Sequence, residues 1–159
     1  MEERLKDYLH KFSINYKMHK HPAVFTVAES KNHPLIKNIP GLRTKSLFLK
    51  DEDNKFYLVC LPGEKRLDIK GLKNQIGKKE IHFANPEELK SELNLTPGSV
   101  SIFGMINSSI TTLIIDNEVW KAEIVGFHPN INTSTLEINH SELEKFLHSL
   151  KCKSMILDL

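Results

Sequence analysis

The chain has 159 residues, of which 40% are hydrophobic and 26% charged, an ordinary globular composition and a length suited to one domain with a sizeable core. No apolar run approaches the ~20 residues of a membrane span, and the N-terminal MEERLKDYLH does not have the form of a signal peptide. Only Cys60 and Cys152 are present, with no metal-type spacing, so a cytoplasmic protein without a disulfide framework is expected.

Leu5, Tyr8, Leu9 and Phe12 recur at helical spacing and predict an amphipathic helix over residues 2–13. Residues 16–21 read as a short strand leading to the turn at His21-Pro22. Thr26 and Glu29 have capping-box spacing, so a short helix follows. Residues 42–50 and 55–61 are β-like runs around the polar turn Asp51-Glu52-Asp53-Asn54, which predicts a hairpin. A helix is expected over 67–76, stopped by Gly77, and a short strand over 81–84. Asn85-Pro86-Glu87-Glu88 is a helix start, with a cap, a proline at the first position and acids in the first turn. Residues 111–116 and 119–125 predict a second hairpin turning at Asp116-Asn117. A strand is expected over 133–138, then a closing helix over 141–150 capped by Ser141 and Glu144. Strands and helices mix without regular βαβ alternation. The predicted fold is a single α+β domain, 1–159, with a mixed, largely antiparallel sheet and flanking helices.

Net charge is only +2, but residues 43–79 hold ten Lys or Arg against five acids. Such a sector can dock a phosphate backbone, and it also fits a solvated lysine-rich surface. Eight histidines invite a metal reading, yet no HExxH or CxxC occurs, and His19 and His21 lack a third convergent ligand. No G-x-S-x-G elbow, P-loop or dinucleotide glycine fingerprint is present, which argues against serine hydrolase, phosphotransfer and hydride-transfer chemistry.

Three segments carry polar residues that a plain strand or turn would not need. Lys45 enters a strand that becomes apolar at once, where it can hold a phosphate or carbonyl oxygen or can snorkel to solvent. Gly98-Ser99 permits close approach of a ligand to backbone N–H groups, and equally fits a helix stop and turn. His128 and Asn132 lie in an irregular stretch feeding a strand, where Asn and Thr also satisfy local backbone.

The ordered set HPAVFTVAE, GLRTKSLFLKD, YLV, LKSELNLTPGSVSIFGMIN and FHPNINTSTLEI, from His21 to Leu147, resembles the prolyl-tRNA editing (YbaK/ProX) family. It is most similar to the free-standing alanyl-tRNA(Pro) deacylases. The resemblance implies hydrolysis of the ester joining a wrong amino acid to the 3′-terminal adenosine of tRNA, with no metal and no organic cofactor. It places the key lysine at Lys45, the small-residue loop at Gly98 and Ser99, and the His-Pro-x-x-Asn-Thr segment at His128, Pro129, Asn132 and Thr133. Lys45 and His128 are then the expected catalytic groups. Ser46, Gly98, Ser99, Asn132, Thr133, Phe25 and Thr26 are expected to bind substrate, with Leu47, Ile102 and Phe103 as further lining. Lys65, Arg66, Lys70 and Lys73 are the expected tRNA contacts. The acceptor end of tRNA is the expected partner, prolyl-tRNA synthetase a candidate one, and a monomer the expected state. The family usually has Asn where this chain has Ser46, and Asp where it has Ser108, both expected beside the pocket. Alternatives are seryl-, threonyl- or cysteinyl-tRNA as substrate, a non-catalytic tRNA-binding module, and a hydrolase of small free aminoacyl esters.

Overall fold

A computed structural model describes residues 1–159. In chain order the elements are α1 (Glu3–Lys11), β1 (Lys17–Lys20), α2 (Val27–Asn32), α3 (Pro34–Lys37), β2 (Leu42–Asp51), β3 (Phe56–Pro62), α4 (Ile69–Ile76), β4 (Ile81–Phe83) and α5 (Pro86–Leu93). A 3-10 helix (Ile102–Asn107) follows, then β5 (Thr112–Asp116), α6 (Asn117–Lys121), β6 (Ile124–Phe127), β7 (Ser134–Asn139), α7 (His140–Ser149) and β8 (Ser154–Leu157). No helix is long and apolar enough to cross a membrane.

The expected hairpin of β2 and β3 forms, in register from Thr44 opposite Pro62 to Lys50 opposite Phe56. Its sheet runs β1-β7-β6-β2-β3-β5-β8, with β4 paired to the far end of β2. The pairs β1–β7, β6–β7, β2–β3 and β2–β4 are antiparallel, and β2–β6, β3–β5 and β5–β8 are parallel. The sheet is therefore mixed with an antiparallel majority, as α+β patterning predicts.

From Tyr57 onward β3 is buried on both faces, which is why FYLVCLP reads as a continuous apolar run rather than an alternation. Leu58 and Cys60 face the main core, built with α1, α5, the 3-10 helix and α7. Tyr57, Val59 and Leu61 face a smaller core under α4. A third cluster, Val24, Ile36 and Ile39, seats α2 and α3.

Local signals set most helix ends. Asn85 and Glu88 make the expected reciprocal capping box, and Gly77 ends α4 in the left-handed region at φ 69°. Thr26 caps α2 through Glu29 N, while the Glu29 carboxylate reaches one residue further back, to Phe25 N.

Three expectations fail. The second hairpin does not exist: Asp116 Oδ1 accepts from Glu118 N and starts α6, so β6 leaves for the opposite half of the sheet. The closing helix is capped by Asn139, whose Oδ1 accepts from Glu142 N, two residues before the predicted cap at Ser141. The strand β8 follows it on the sheet edge and was not expected.

At the hairpin turn the buried Asp51 carboxylate accepts from Tyr57 Oη at 2.7 Å and from the Asp53 and Lys55 amides. Lys78 Nζ completes the set at 3.2 Å. Burial alone would raise the Asp51 pKa, but these donors outweigh it and hold the carboxyl below its usual range. The same environment pushes Tyr57 up to about 12, through burial first and then its bond to Asp51. Because the folded pKa of Asp51 is depressed, its stabilisation is present above the unfolded value of ~3.9 and is lost as pH falls through the folded one. Asp51→Ala, which strands Tyr57 and Lys78, should cost about 2–4 kcal/mol in urea denaturation at pH 7. The difference from the parent should shrink below pH 4.

Candidate active site

Strands β2 and β6 run parallel but pair only at Leu42–Val125 and Arg43–Gly126. Thr44 Oγ1 adds one more tie, donating to Gly126 O at 2.7 Å. Beyond that the pairing ends, and a cavity of about 220 Å³ opens along β2 with His128, just past β6, on its wall. Residues 43–46 all line it although successive side chains in a strand point to opposite faces. A strand that has lost a neighbour on one side presents both faces to the gap. Its approach to β6 depends on Gly41, at φ +96°, where a Cβ would lie 2.5 Å from Ile124 O.

The cavity gathers Lys45, Ser46, Phe25, Thr26, Gly98 and His128 from the expected residues. Arg43, Thr44, Ser30, Val24, Val27, Gly63 and Val100 complete it. Lys45 makes no ion pair or side-chain hydrogen bond, and no carboxylate lines the cavity. Arg43 is committed differently: its guanidinium donates to Ser30 O (3.3 Å) and Ile36 O (2.8 Å), tying α2 and α3 to β2.

His128 Nδ1 lies 3.2 Å from Ser134 O. A carbonyl only accepts, so Nδ1 carries the proton and Nε2 keeps its lone pair. Burial, reinforced by nearby His21, moves the His128 pKa below the ordinary imidazole value despite the opposing Ser134 bond. His21 is buried and stands 6.4 Å from His128, ring edge toward ring face. Its Nδ1 contacts Pro22 O and its Nε2 Thr135 Oγ1, each at 2.9 Å. His21 N and Val24 N donate to Thr133 O and Asn132 O, so the two loops brace each other.

Other expected residues fall elsewhere. Asn132 and Thr133 serve through these carbonyls, and neither lines the cavity. Ser99 N closes a turn onto Thr96 O, whereas Gly98 N has no partner within the chain. Phe103 and Ile102 are fully buried core, with Phe103 against Phe127 and Phe146, and Leu47 packs toward the α4 core. Ser108 lines a separate groove and accepts from Ile110 N and Thr111 N, so it is not beside this pocket. Lys65 is paired to the buried Asp116 at 2.9 Å and to Glu118, while Arg66, Lys70 and Lys73 form no ion pairs. Cys60 lies under Ser46 and Thr44. Burial pushes its thiol up to about 12, which leaves it a neutral core group rather than a nucleophile. Of the remaining histidines, His19 pairs with Glu137 at 2.7 Å and His33 caps α3.

Arg43 and Ser30 carried little sequence signal, since one donates to the other's carbonyl across elements. His21, noted in the sequence beside His19, contacts Pro22 O and Thr135 Oγ1.

The crevice thus combines an unpaired lysine with an imidazole whose Nε2 is open, and no carboxylate lines it. Residues 21–146 match the aminoacyl-tRNA editing domain family, and the chain belongs to that family. The prolyl-tRNA editing protein ProX of Acetoanaerobium sticklandii is 32% identical over 142 residues, 87% of this chain and 85% of that one. The prolyl-tRNA synthetase associated domain-containing protein 1 of Danio rerio is 27% identical, over 99% of this chain and 86% of that one. A solved structure of a candidate trans-editing enzyme for prolyl-tRNA synthetase superposes with a TM-score of 0.76 at 18% identity, covering 100% and 98% of the two chains. That likeness establishes the fold.

Gly98 tests the shape of the cavity mouth. Its φ is +88° and a Cβ there would lie 3.2 Å from Cδ1 of Phe25, itself 68% exposed. Gly98→Val should displace the Phe25 ring and cost about 1–2 kcal/mol from the left-handed backbone alone. Thermal denaturation and ligand affinity, measured together, check both effects.

Proposed function

We propose that this protein is an editing hydrolase that cleaves the aminoacyl ester of mischarged tRNA(Pro), with alanyl-tRNA(Pro) as its main substrate. The observation that carries the reading is the pairing of functions in one cavity: a cation free of any carboxylate, Lys45, and an imidazole with an open Nε2, His128. Membership of the editing family and the likeness to ProX support the substrate class.

The aminoacyl ester is already activated, so hydrolysis needs placement of a water and stabilisation of the oxyanion rather than a covalent intermediate. His128 Nε2 accepts a proton from the water as its oxygen attacks the ester carbonyl. Lys45, as a cation, offsets the charge that develops on the carbonyl oxygen. Collapse of the tetrahedral species breaks the bond to the ribose oxygen, which takes a proton and leaves as the free tRNA end. Gly98 N, with no partner in the chain, is placed to donate to the substrate at the mouth. The chain acts as a monomer in the cytoplasm, on tRNA charged by a prolyl-tRNA synthetase, and uses no cofactor.

Selectivity follows from space. One methylene in an apolar pocket is worth only ~10–200-fold, so a second hydrolytic site that excludes the larger, correct residue adds useful discrimination. Ser46, which lines the cavity, leaves more room than an asparagine there would.

Lys45→Met should lower kcat on alanyl-tRNA(Pro) by about 10²–10³-fold, the scale of losing one oxyanion-stabilising group, with the melting temperature unchanged. Parallel assays on seryl-, threonyl- and cysteinyl-tRNA name the preferred substrate. Background-level decay of every mischarged tRNA with the unmodified protein would overturn the hydrolase reading.

The pH profile gives a second test. His128 must be neutral to accept a proton, and its pKa lies below the ordinary imidazole value of ~6.5. Enzymatic kcat/KM, corrected for spontaneous hydrolysis, should therefore stay level through pH 7 and 6.5 and fall only below that. His128→Asn should abolish this acid limb together with most of the activity.

A further inference from the structure

The basic sector that the sequence offers for RNA, around α4, is partly neutralised. Lys65 is paired to Asp116 and Glu118, and Lys78 to Asp51 and Asp53. The reverse holds on another face. A groove of about 400 Å³ runs between α1, the end of the 3-10 helix and the chain after α7. Arg4, Tyr8 and Lys11 line it from one stripe of α1, at i, i+4 and i+7, and Lys151 faces them. None of the three cations forms an ion pair, and no carboxylate lines the groove. Asp7 and Glu3 are on α1 but outside the lining.

The groove has more than charge. Tyr8 and Phe12 stand with ring centroids 4.7 Å apart, Phe12 is 36% exposed, and Lys11 lies over its ring. Tyr8 Oη is fixed by the Ser149 carbonyl and hydroxyl, so the aromatic wall is rigid. Ser108 and Ser109 add hydroxyls along the opposite side. A second open groove, lined by the chain neighbours Ile110 and Lys153, carries the unpaired Lys55 and Lys153 beside the paired Lys78. Cations, hydroxyls and an aromatic edge in one open channel are the chemistry that holds an RNA backbone.

We propose that this α1 groove is a second RNA contact surface, which grips backbone phosphates of the tRNA away from its aminoacyl end. The proposal rests on tRNA being the substrate. The 3-10 helix connects the two sites: Val100 lines the Lys45 cavity just before it, and Asn107 and Ser108 line the groove at its far end. Six residues of 3-10 helix rise about 12 Å, so a single bound RNA can touch both.

The test is binding of uncharged tRNA(Pro), measured by fluorescence anisotropy between 50 and about 200 mM salt, for the parent and for Arg4→Gln/Lys11→Gln/Lys151→Gln. The substituted residues are exposed, and an unchanged melting temperature confirms the fold. Tenfold or greater loss of affinity, with the slope of log K against log salt reduced by about two, supports the groove: three lost phosphate contacts are worth about 0.7–0.9 each. Hydrolysis of a short aminoacyl-CCA oligonucleotide should be unchanged. Unaltered tRNA affinity and slope overturn the proposal, as does a variant that loses binding to prolyl-tRNA synthetase while keeping tRNA. The matched variant Arg66→Gln/Lys70→Gln/Lys73→Gln separates this surface from α4, and a larger loss there also overturns it. Since the readout uses uncharged tRNA, it stands or falls apart from the deacylation assay with Lys45→Met.

Discussion

Two residue pairs, Leu42–Val125 and Arg43–Gly126, join the β1-β7-β6 part of the sheet to the part that begins at β2. Strand β6 ends at Phe127, one residue past the joint, while β2 runs on to Asp51, so β2 has no β6 neighbour from Thr44 onward. The cavity forms along this free edge of β2 and is closed by α2 and by the segments that carry Phe25, Gly98 and His128. Lys45 stands two residues beyond the joint on one strand, and His128 two residues beyond it on the other. The site is a consequence of where the sheet divides.

Such a division leaves backbone and side chains exposed on both sides, and the surrounding elements are organised to close it. Arg43 spends its guanidinium on carbonyls of Ser30 and Ile36, which seats α2 and α3 over the gap on their own small core. On the other side the segment 21–24 and the loop 128–134 are bound through backbone bonds and through the His21–Thr135 contact. The result is a pocket with rigid walls in which one cation, Lys45, is not consumed by structure. Elsewhere lysines such as Lys65 and Lys78 are spent on buried carboxylates. That contrast, more than total charge, is what supports Lys45 as the lysine of the proposed reaction.

What could be read from the chain follows the same division between local and non-local causes. Helices α1, α4 and α5 and the β2–β3 hairpin are written in caps, turn residues and periodicity within a dozen residues, and all appear where expected. The failed hairpin had an equally local appearance, but Asp116 can start a helix as readily as a turn, and only the pairing of β5 with β3 and β8 decides between them. The β8 strand is four residues long and gains its identity from the open edge of β5. For the site, Lys45 and His128 stood out because a polar residue beside an apolar run lacks a local explanation. Arg43 did not, since its partners lie in other elements, and His21 drew notice as a metal candidate although its ring contacts Pro22 O and Thr135 Oγ1. Asn132 and Thr133 belonged to a recognisable segment, but it is their carbonyls that contribute.

The chemical character of the cavity limits the reactions it can host. With no carboxylate in the lining, it has no pair of acids to protonate a poor leaving group and activate water on the other side, as glycoside cleavage usually requires. A half-buried histidine and a lysine offer a weaker set: one proton acceptor and one positive charge. That set is sufficient where the bond to be broken is already activated and the leaving group is a ribose hydroxyl. Proofreading also needs restraint, because a stronger general hydrolase would attack correctly charged tRNA as well. On the proposed reading, modest chemistry in a cavity of limited volume places the discrimination in what can enter.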